Sequence, residues 1–375
     1  MMIKRHYDLN ALIRQGKTLV IYGPRQVGKT TLLQNFLSQT PLKYKLDSGD
    51  NIRVQQILSS RDLPLILEYV SGYELLAIDE AQQIPGVGMG LKMIVDHRPD
   101  IIVIATGSSS FDLSGAIGEP LTGRKKTLVL YPFAQMELLT LYNRYELRER
   151  LEEFLIFGSY PEVITAGNTK ERTEILNEIV DSYLLKDVLS LERIKGSRVL
   201  LDLLKLLAFQ VGSQVSLNEL ATQVKLDVKT VGRYLDIFEK AFVIMRIGGL
   251  SRNLRKEVVS KAKYYFIDNG IRNAVISQFN PLNSRNDVGI LWENFMVIER
   301  IKKCAYQGIY GSFYFWRTYD KQEIDLVEER EGILGGYEFR WTERGKQKPP
   351  KDWQGAYSNA GFDIINRENY LDFIL

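Results

Sequence analysis

LVIYGPRQVGKTTLLQNF, residues 19–36, decides the fold. Apolar and aromatic side chains run into Gly23, four positions intervene, and Gly28-Lys29-Thr30 leads into a helix-like stretch. Gly23, Pro24, Arg25, Gln26, Val27, Gly28, Lys29 and Thr30 fit the pattern G-x-x-x-x-G-K-[ST]. The glycines let the backbone turn so that several N–H groups aim at phosphate oxygens, at the positive end of the next helix. Lys29 is expected to reach the β and γ phosphates of ATP, and the Thr30 hydroxyl to ligate Mg2+. With Thr31, these residues form the expected nucleotide contact.

Outward from this loop, short apolar runs alternate with helical patterns from residue 18 to about 133. TLVIY (18–22), YKLD (44–47), LLAID (75–79), IIVIAT (101–106) and TLVLY (127–131) read as strands. Near-continuous apolar runs mark strands covered on both faces, hence an α/β fold with a parallel sheet. Residues 134–210 read as mostly helical with a break at GSYPEV (158–163), and 211–268 as a helix-turn-helix followed by strands. After NPLNSRND (280–287) come a helix, a hairpin and a mixed end. The expected parts are 1–133, 134–280 and 281–375.

With 375 residues the chain exceeds what one core usually serves. A net charge of +3 is too mild to imply nucleic-acid binding by itself. One cysteine, Cys304, excludes an internal disulfide and suits a reducing compartment. MMIKRHYDLN lacks the apolar centre of a secretory signal, and no run approaches the ~18 apolar residues a membrane helix needs. A cytoplasmic protein is expected.

LLAIDE (75–80) ends a buried strand in Asp79 and Glu80. Asp79 is expected to hold the magnesium and Glu80 to orient the attacking water as general base. An acidic pair at that place also serves to cap the next helix, but the phosphate loop favours catalysis. ATPases with this acidic pair carry an extra strand between the loop strand and the acidic strand, its tip presenting a polar sensor to the γ-phosphate. Ser108 is the expected sensor, Ser109 its alternate. Arg124, ahead of the last strand, is a candidate to stabilise the transferring phosphoryl group in its own subunit or a neighbour's, which would require a homo-oligomer.

GPRQVGKTT, AIDEAQ, ATGSSS, LTGR and LYPF together resemble prokaryotic AAA-type P-loop ATPases that carry a conserved C-terminal region. GSYPEV, YLLKDV (183–188), KYYFIDNG (263–270) and WENF (292–295) extend the resemblance over nearly the whole chain. It implies a P-loop NTPase sheet, a helical winged-helix part and a small α+β restriction-endonuclease-like part.

SLNELATQVKLDVKTVGRYLDIFEKAFVIMRI (216–247) reads as two helices joined by a short turn, capped by Ser216 with Glu219 three residues on. Lys229, Thr230, Arg233 and Lys240 face outward on the second, and SRNLRKEVVSKAK (251–263) is a candidate wing. This layout suits double-stranded DNA, and equally suits a protein partner.

WENFMVIER (292–300), EIDLV (323–327) and GYEFRW (336–341) resemble a nuclease pattern of carboxylates converging on magnesium: Glu293, Asp325 and Glu338. The lysine of that pattern is replaced by Arg340, whose guanidinium grips phosphate but tunes a water poorly. An impaired nuclease, a nucleic-acid clamp and a structural relic all remain open. The leading expectation is an Mg-dependent ATPase coupled to a DNA-engaging C-terminal region. The alternative is a nucleotide-gated protein-interaction switch with slow turnover and no DNA role.

Overall fold

Buried apolar runs build the first sheet. In the computed structural model, which describes residues 3–108, 120–184, 197–251, 261–318, 321–342 and 348–375, five strands align. They are β1 (Thr18–Tyr22), β2 (Tyr44–Ser48), β3 (Leu75–Asp79), β4 (Ile102–Thr106) and β5 (Lys125–Val129), in the order β2-β3-β4-β1-β5. Every pairing is parallel, and β4 lies between β1 and β3 as the order of the three motifs leads one to expect. Side chains alternate across β1. Leu19 and Ile21 enter one core with Leu32, Leu33 and Phe36 of α1 (Lys29–Leu37). Val20 and Tyr22 enter the opposite core with Leu91 and Ile94 of α2 (Val87–His97).

The helices that matter next are α3 (Leu151–Phe157), α4 (Pro161–Thr165), α5 (Ser197–Phe209), α6 (Leu217–Val224), α7 (Val228–Lys240), α8 (Asn269–Val275) and α9 (Val288–Gln307). Ser216 caps α6 by accepting from Glu219 N at 3.5 Å, and Asp227 caps α7 by accepting from Thr230 N at 2.9 Å. Val231, Leu235 and Phe238 are buried along α7, at the spacing read from the sequence.

A second sheet has the order β11-β10-β9-β8-β6-β7. Its strands are β6 (Ile244–Gly249), β7 (Lys263–Phe266), β8 (Ser312–Arg317), β9 (Glu323–Arg330), β10 (Ile333–Phe339) and β11 (Gly361–Ile365). β6 pairs antiparallel with β7 but parallel with β8, so strands from both sides of residue 281 share one sheet. β9 and β10 form the expected hairpin, turning at Glu331 (φ 49°) and Gly332 (φ 78°). The core on the α1 side continues without a break from Ile3 to Ile374. No helix among the described residues is long and apolar enough to cross a membrane.

Candidate functional site

The loop after β1 is shaped by close approach. A Cβ on Gly23 would lie 2.1 Å from the Leu130 carbonyl oxygen, and φ there is 149°, so glycine is required. Gly28, at φ 89°, caps α1 without a side chain, which suits the first helical N–H groups to an anion. Lys29 is buried and donates Nζ to the carbonyls of Gly23 at 2.9 Å and Pro24 at 2.8 Å. Val27 packs in the core, Arg25 and Gln26 are half-buried, and Thr31 is exposed.

The end of β3 meets this loop. Thr30 Oγ1 donates to Asp79 Oδ2 at 2.8 Å, and the Thr106 hydroxyl donates to the other Asp79 oxygen. Thr106 also accepts from Glu80 N at 3.2 Å. Glu80 leaves the strand at φ 50° and its carboxylate accepts from the Gln82 amide. Thr106 therefore ties the acidic pair to β4, a role the sequence reading missed. Only the side-chain partners, 26 and 27 positions away, identify it. Gly107 N donates to Ile21 O at 3.0 Å, which sets the fully buried Ser108 beside the end of β1. The alternate, Ser109, falls outside the described residues.

Arg124 corrects an expectation. Thr18 N donates to Arg124 O, so Arg124 sits at the beginning of β1 and β5, whereas the loop follows the end of β1. About 17 Å of strand separates them. Its guanidinium pairs with Asp96 on α2. Parallel strand polarity, invisible in a list of motifs, places Arg124 at the sheet edge opposite the phosphate loop.

Beside the loop lies a cavity of about 800 Å³, bordered by Val27, Gly28 and Thr31. Its other walls are residues 3–10, Phe36, Phe133 and α4. The Arg5 guanidinium lies 4.4 Å over the Phe133 ring, and His6 stacks on Tyr306 of α9 at 5.8 Å. Arg5 also bonds the Tyr131 carbonyl, and Tyr131 N donates to the Tyr306 hydroxyl at 3.1 Å. Residues 3–10 thus form a wall that none of the sequence motifs announces. Their aromatic and basic side chains were the available signal.

The C-terminal carboxylates gather elsewhere, around Lys263 of β7. Its Nζ lies 2.6 Å from Glu323, 3.3 Å from Glu293 and 3.8 Å from Asp325. The Tyr265 hydroxyl donates to Glu293 at 2.8 Å, and Phe339 N to Asp325 at 2.9 Å. Burial, then the neighbouring Glu293 carboxylate, pushes Asp325 up to about 8, with Lys263 opposing them. Burial works to lower Lys263, but Glu293, Asp325 and Glu323 together hold it above its ordinary value. Glu293 and Asp325 are brought together as expected. Glu338 of β10 instead pairs with Arg340 just past the end of that strand, and the amine near the carboxylates comes from Lys263.

On α7, Lys229, Arg233 and Lys240 are exposed and Thr230 is half-buried. Asp236 is exposed among them. Of the candidate wing, residues 252–260 fall outside the described residues, as do 185–188 of YLLKDV.

Three family descriptions match in succession: an AAA domain over residues 15–139, a domain of unknown function (DUF8612) over 148–282 and another (DUF4143) over 288–369. The chain is similar to an uncharacterized protein of Mycobacterium tuberculosis, 26% identical over 89% of this chain and 72% of the other. An uncharacterized protein of Haemophilus influenzae is 27% identical over 88% and 84%, and one of Methanocaldococcus jannaschii 25% over 96% and 83%. Among solved structures, AMPPCP-bound DnaA from Aquifex aeolicus matches with 18% identity over 63% of this chain and 85% of that chain, TM-score 0.29. A RuvB mutant of Thermotoga maritima matches with 19% identity over 61% and 82%, TM-score 0.28. At those scores the structural likeness carries no argument. The first sheet thus lies within the residues that match an AAA domain, and the uncharacterized relatives assign no activity to any part of the chain.

Proposed function

We propose that this protein binds and hydrolyses Mg-ATP at residues 23–31 and uses nucleotide state to bias how its C-terminal region engages double-stranded DNA. The observation that carries the catalytic part is the Thr30–Asp79–Thr106 chain of hydroxyl and carboxylate beside the Lys29 amine. A hydroxyl and a carboxylate 2.8 Å apart are hard oxygen donors of the kind magnesium takes. Thr30 and Asp79 would hold it, and once bound it would neutralise charge on the phosphate oxygens. Lys29 exchanges the carbonyls of Gly23 and Pro24 for phosphate oxygens. Glu80 orients the attacking water, while Thr106 keeps the acidic pair in place. Ser108 is the sensor of the γ-phosphate. The nucleoside end of ATP occupies the adjoining 800 Å³ cavity, walled by His6, Tyr7 and Phe133. A homo-oligomer is the one arrangement in which Arg124 meets a nucleotide.

Two contacts support coupling to the C-terminal region. Arg5 and Tyr131 join the cavity wall to Tyr306, and Lys302 of α9 donates to Phe133 O at 3.1 Å. Phosphate release tests the reading: Lys29→Ala is expected to lower turnover to background, and unchanged release in that variant rules it out. For DNA, α7 offers Lys229, Arg233 and Lys240, and duplex binding should weaken steeply with salt. The second reading, a nucleotide-gated switch that docks a protein, draws support from Asp236, which interrupts the basic stripe. Turnover indifferent to duplex DNA, with no salt-sensitive binding, selects it.

A further inference from the structure

Away from the phosphate loop, one buried ammonium gathers residues from distant stretches of the chain. Lys302 of α9 is 1% exposed, and all three of its N–H groups are used. They donate to Phe133 O at 3.1 Å, Ser159 Oγ at 3.2 Å and Glu299 at 2.8 Å. The Ser159 hydroxyl donates in turn to Asp268 at 3.3 Å, and Ser159 N donates to the same oxygen at 2.8 Å. Glu299 also accepts from Gln135 N at 2.7 Å. Phe133 closes LYPF, Ser159 is the second residue of GSYPEV, and Asp268 lies in KYYFIDNG. Three motifs that carried the family resemblance thus meet on one amine in the interior.

Two of its partners hold the wall of the 800 Å³ cavity beside the loop. Phe133 is itself part of that wall, and Pro161 and Glu162 of α4, two and three positions after Ser159, are part of it too. Phe133 N donates to Ser159 O at 2.9 Å, so the two segments are also tied to each other. The packing there is close: a Cβ on Gly158 would lie 1.8 Å from Asp268 Oδ1, and φ at Gly158 is 71°. Lys302 is anchored from behind as well. Arg300, two positions earlier on α9, pairs with Glu328 of β9 at 2.6 Å. A desolvated ammonium keeps its partners firmly, because leaving any of them unpaired in the interior is costly. One side of the cavity is therefore hung from a helix fastened to the second sheet.

We infer that Lys302 is a positioning residue for the nucleotide site: from α9 it sets the places of Phe133 and Pro161, and with them the affinity for the nucleoside end of ATP, without touching the phosphates. The inference rests on the reading that ATP binds at residues 23–31 with its nucleoside in this cavity. The two ends of the nucleotide then answer to different parts of the chain. Lys29 and the loop amides hold the phosphates wherever the wall stands, and Lys302 governs what the wall encloses. A displacement of α9 alters the grip on the nucleoside and leaves the grip on the phosphates.

The test uses the full chain with Mg2+ and measures binding of ATP, ADP and inorganic tripolyphosphate by calorimetry, in the parent, Lys29→Ala, Lys302→Met and Ser159→Ala. Lys302→Met keeps the stem and removes the three donors, whereas Ser159→Ala removes only the hydroxyl between Lys302 and Asp268. Lys302→Met is expected to weaken ADP about tenfold and tripolyphosphate by less than about twofold. Ser159→Ala should weaken ADP about threefold with the same selectivity. In phosphate release the loss should fall on the KM for ATP, with kcat changed far less. Equal weakening of ADP and tripolyphosphate, or a folded Lys302→Met with the parent's ADP affinity, overturns the inference and leaves the ATP site standing. A parent that binds no ATP, or a Lys29→Ala that binds all three ligands as the parent does, overturns that site and the inference with it. Should Lys302→Met fail to fold, Ser159→Ala decides alone: a split between ADP and tripolyphosphate supports the inference, and its absence overturns it.

Discussion

Two acidic centres in this molecule solve the same electrostatic problem differently. At the end of β3, Asp79 is held by two hydroxyls, Thr30 and Thr106, and the nearby amine of Lys29 rests on backbone carbonyls. At β9, Asp325 and its acidic neighbours close on a buried ammonium. Hydroxyls donate weakly and exchange readily for a metal ion, whereas a paired, desolvated ammonium does not. On the proposed function the first centre receives a cation from outside, whereas the second has one already.

The contrast can be broken most directly at the amine. Lys263→Met keeps the apolar stem but strands Glu293 and Glu323, and should cost about 4 kcal/mol in denaturant unfolding. A cost as small as that of an exposed pair would mean the ammonium is not what balances the cluster. Next comes turnover. Asp79→Asn should slow ATP hydrolysis about 100-fold, while Asp325→Asn should leave it within about twofold. Equal losses would erase the distinction between the two centres.

A smaller effect concerns pH. Asp325 titrates at about 8 in the folded chain against an ordinary carboxylate value near 4, so the folded state holds the extra proton. The contribution of Asp325 to stability is therefore largest at low pH and falls as pH rises toward 8, flattening above. Between pH 6 and 8 the parent should lose about 2 kcal/mol that Asp325→Asn does not lose, read as a shift in urea midpoint. The smallest change lies between the centres: Tyr306→Phe removes the acceptor of Tyr131 N and should cost about 1 kcal/mol by the same measurement.

How much could be read beforehand follows from what determines each feature. β1 and β3 begin and end where the apolar runs do, because both faces of those strands are covered. β5 was expected at 127–131 but spans Lys125–Val129. Backbone pairing with Thr18 and Leu19 takes in the half-buried Lys125 and Lys126, while Leu130 and Tyr131 are buried beyond the strand. The phosphate loop was legible because its residues are contiguous. Thr106, Lys263 and the wall formed by residues 3–10 were not, because their partners are remote in sequence. The sheet edge that Arg124 occupies was not legible, because order along the chain says nothing about which end of a strand a residue occupies.

The placement of β6 and β7 beside β8 has a practical consequence for anyone dissecting the protein. A fragment beginning in the loop at 281 would contain the two glutamates and the aspartate but not the amine that reconciles them. Its β8 would also present a raw edge, inviting neighbouring copies to zip onto it. Behaviour seen in such a truncation would belong to the cut, and only pieces that start upstream of Ile244 preserve the native seam.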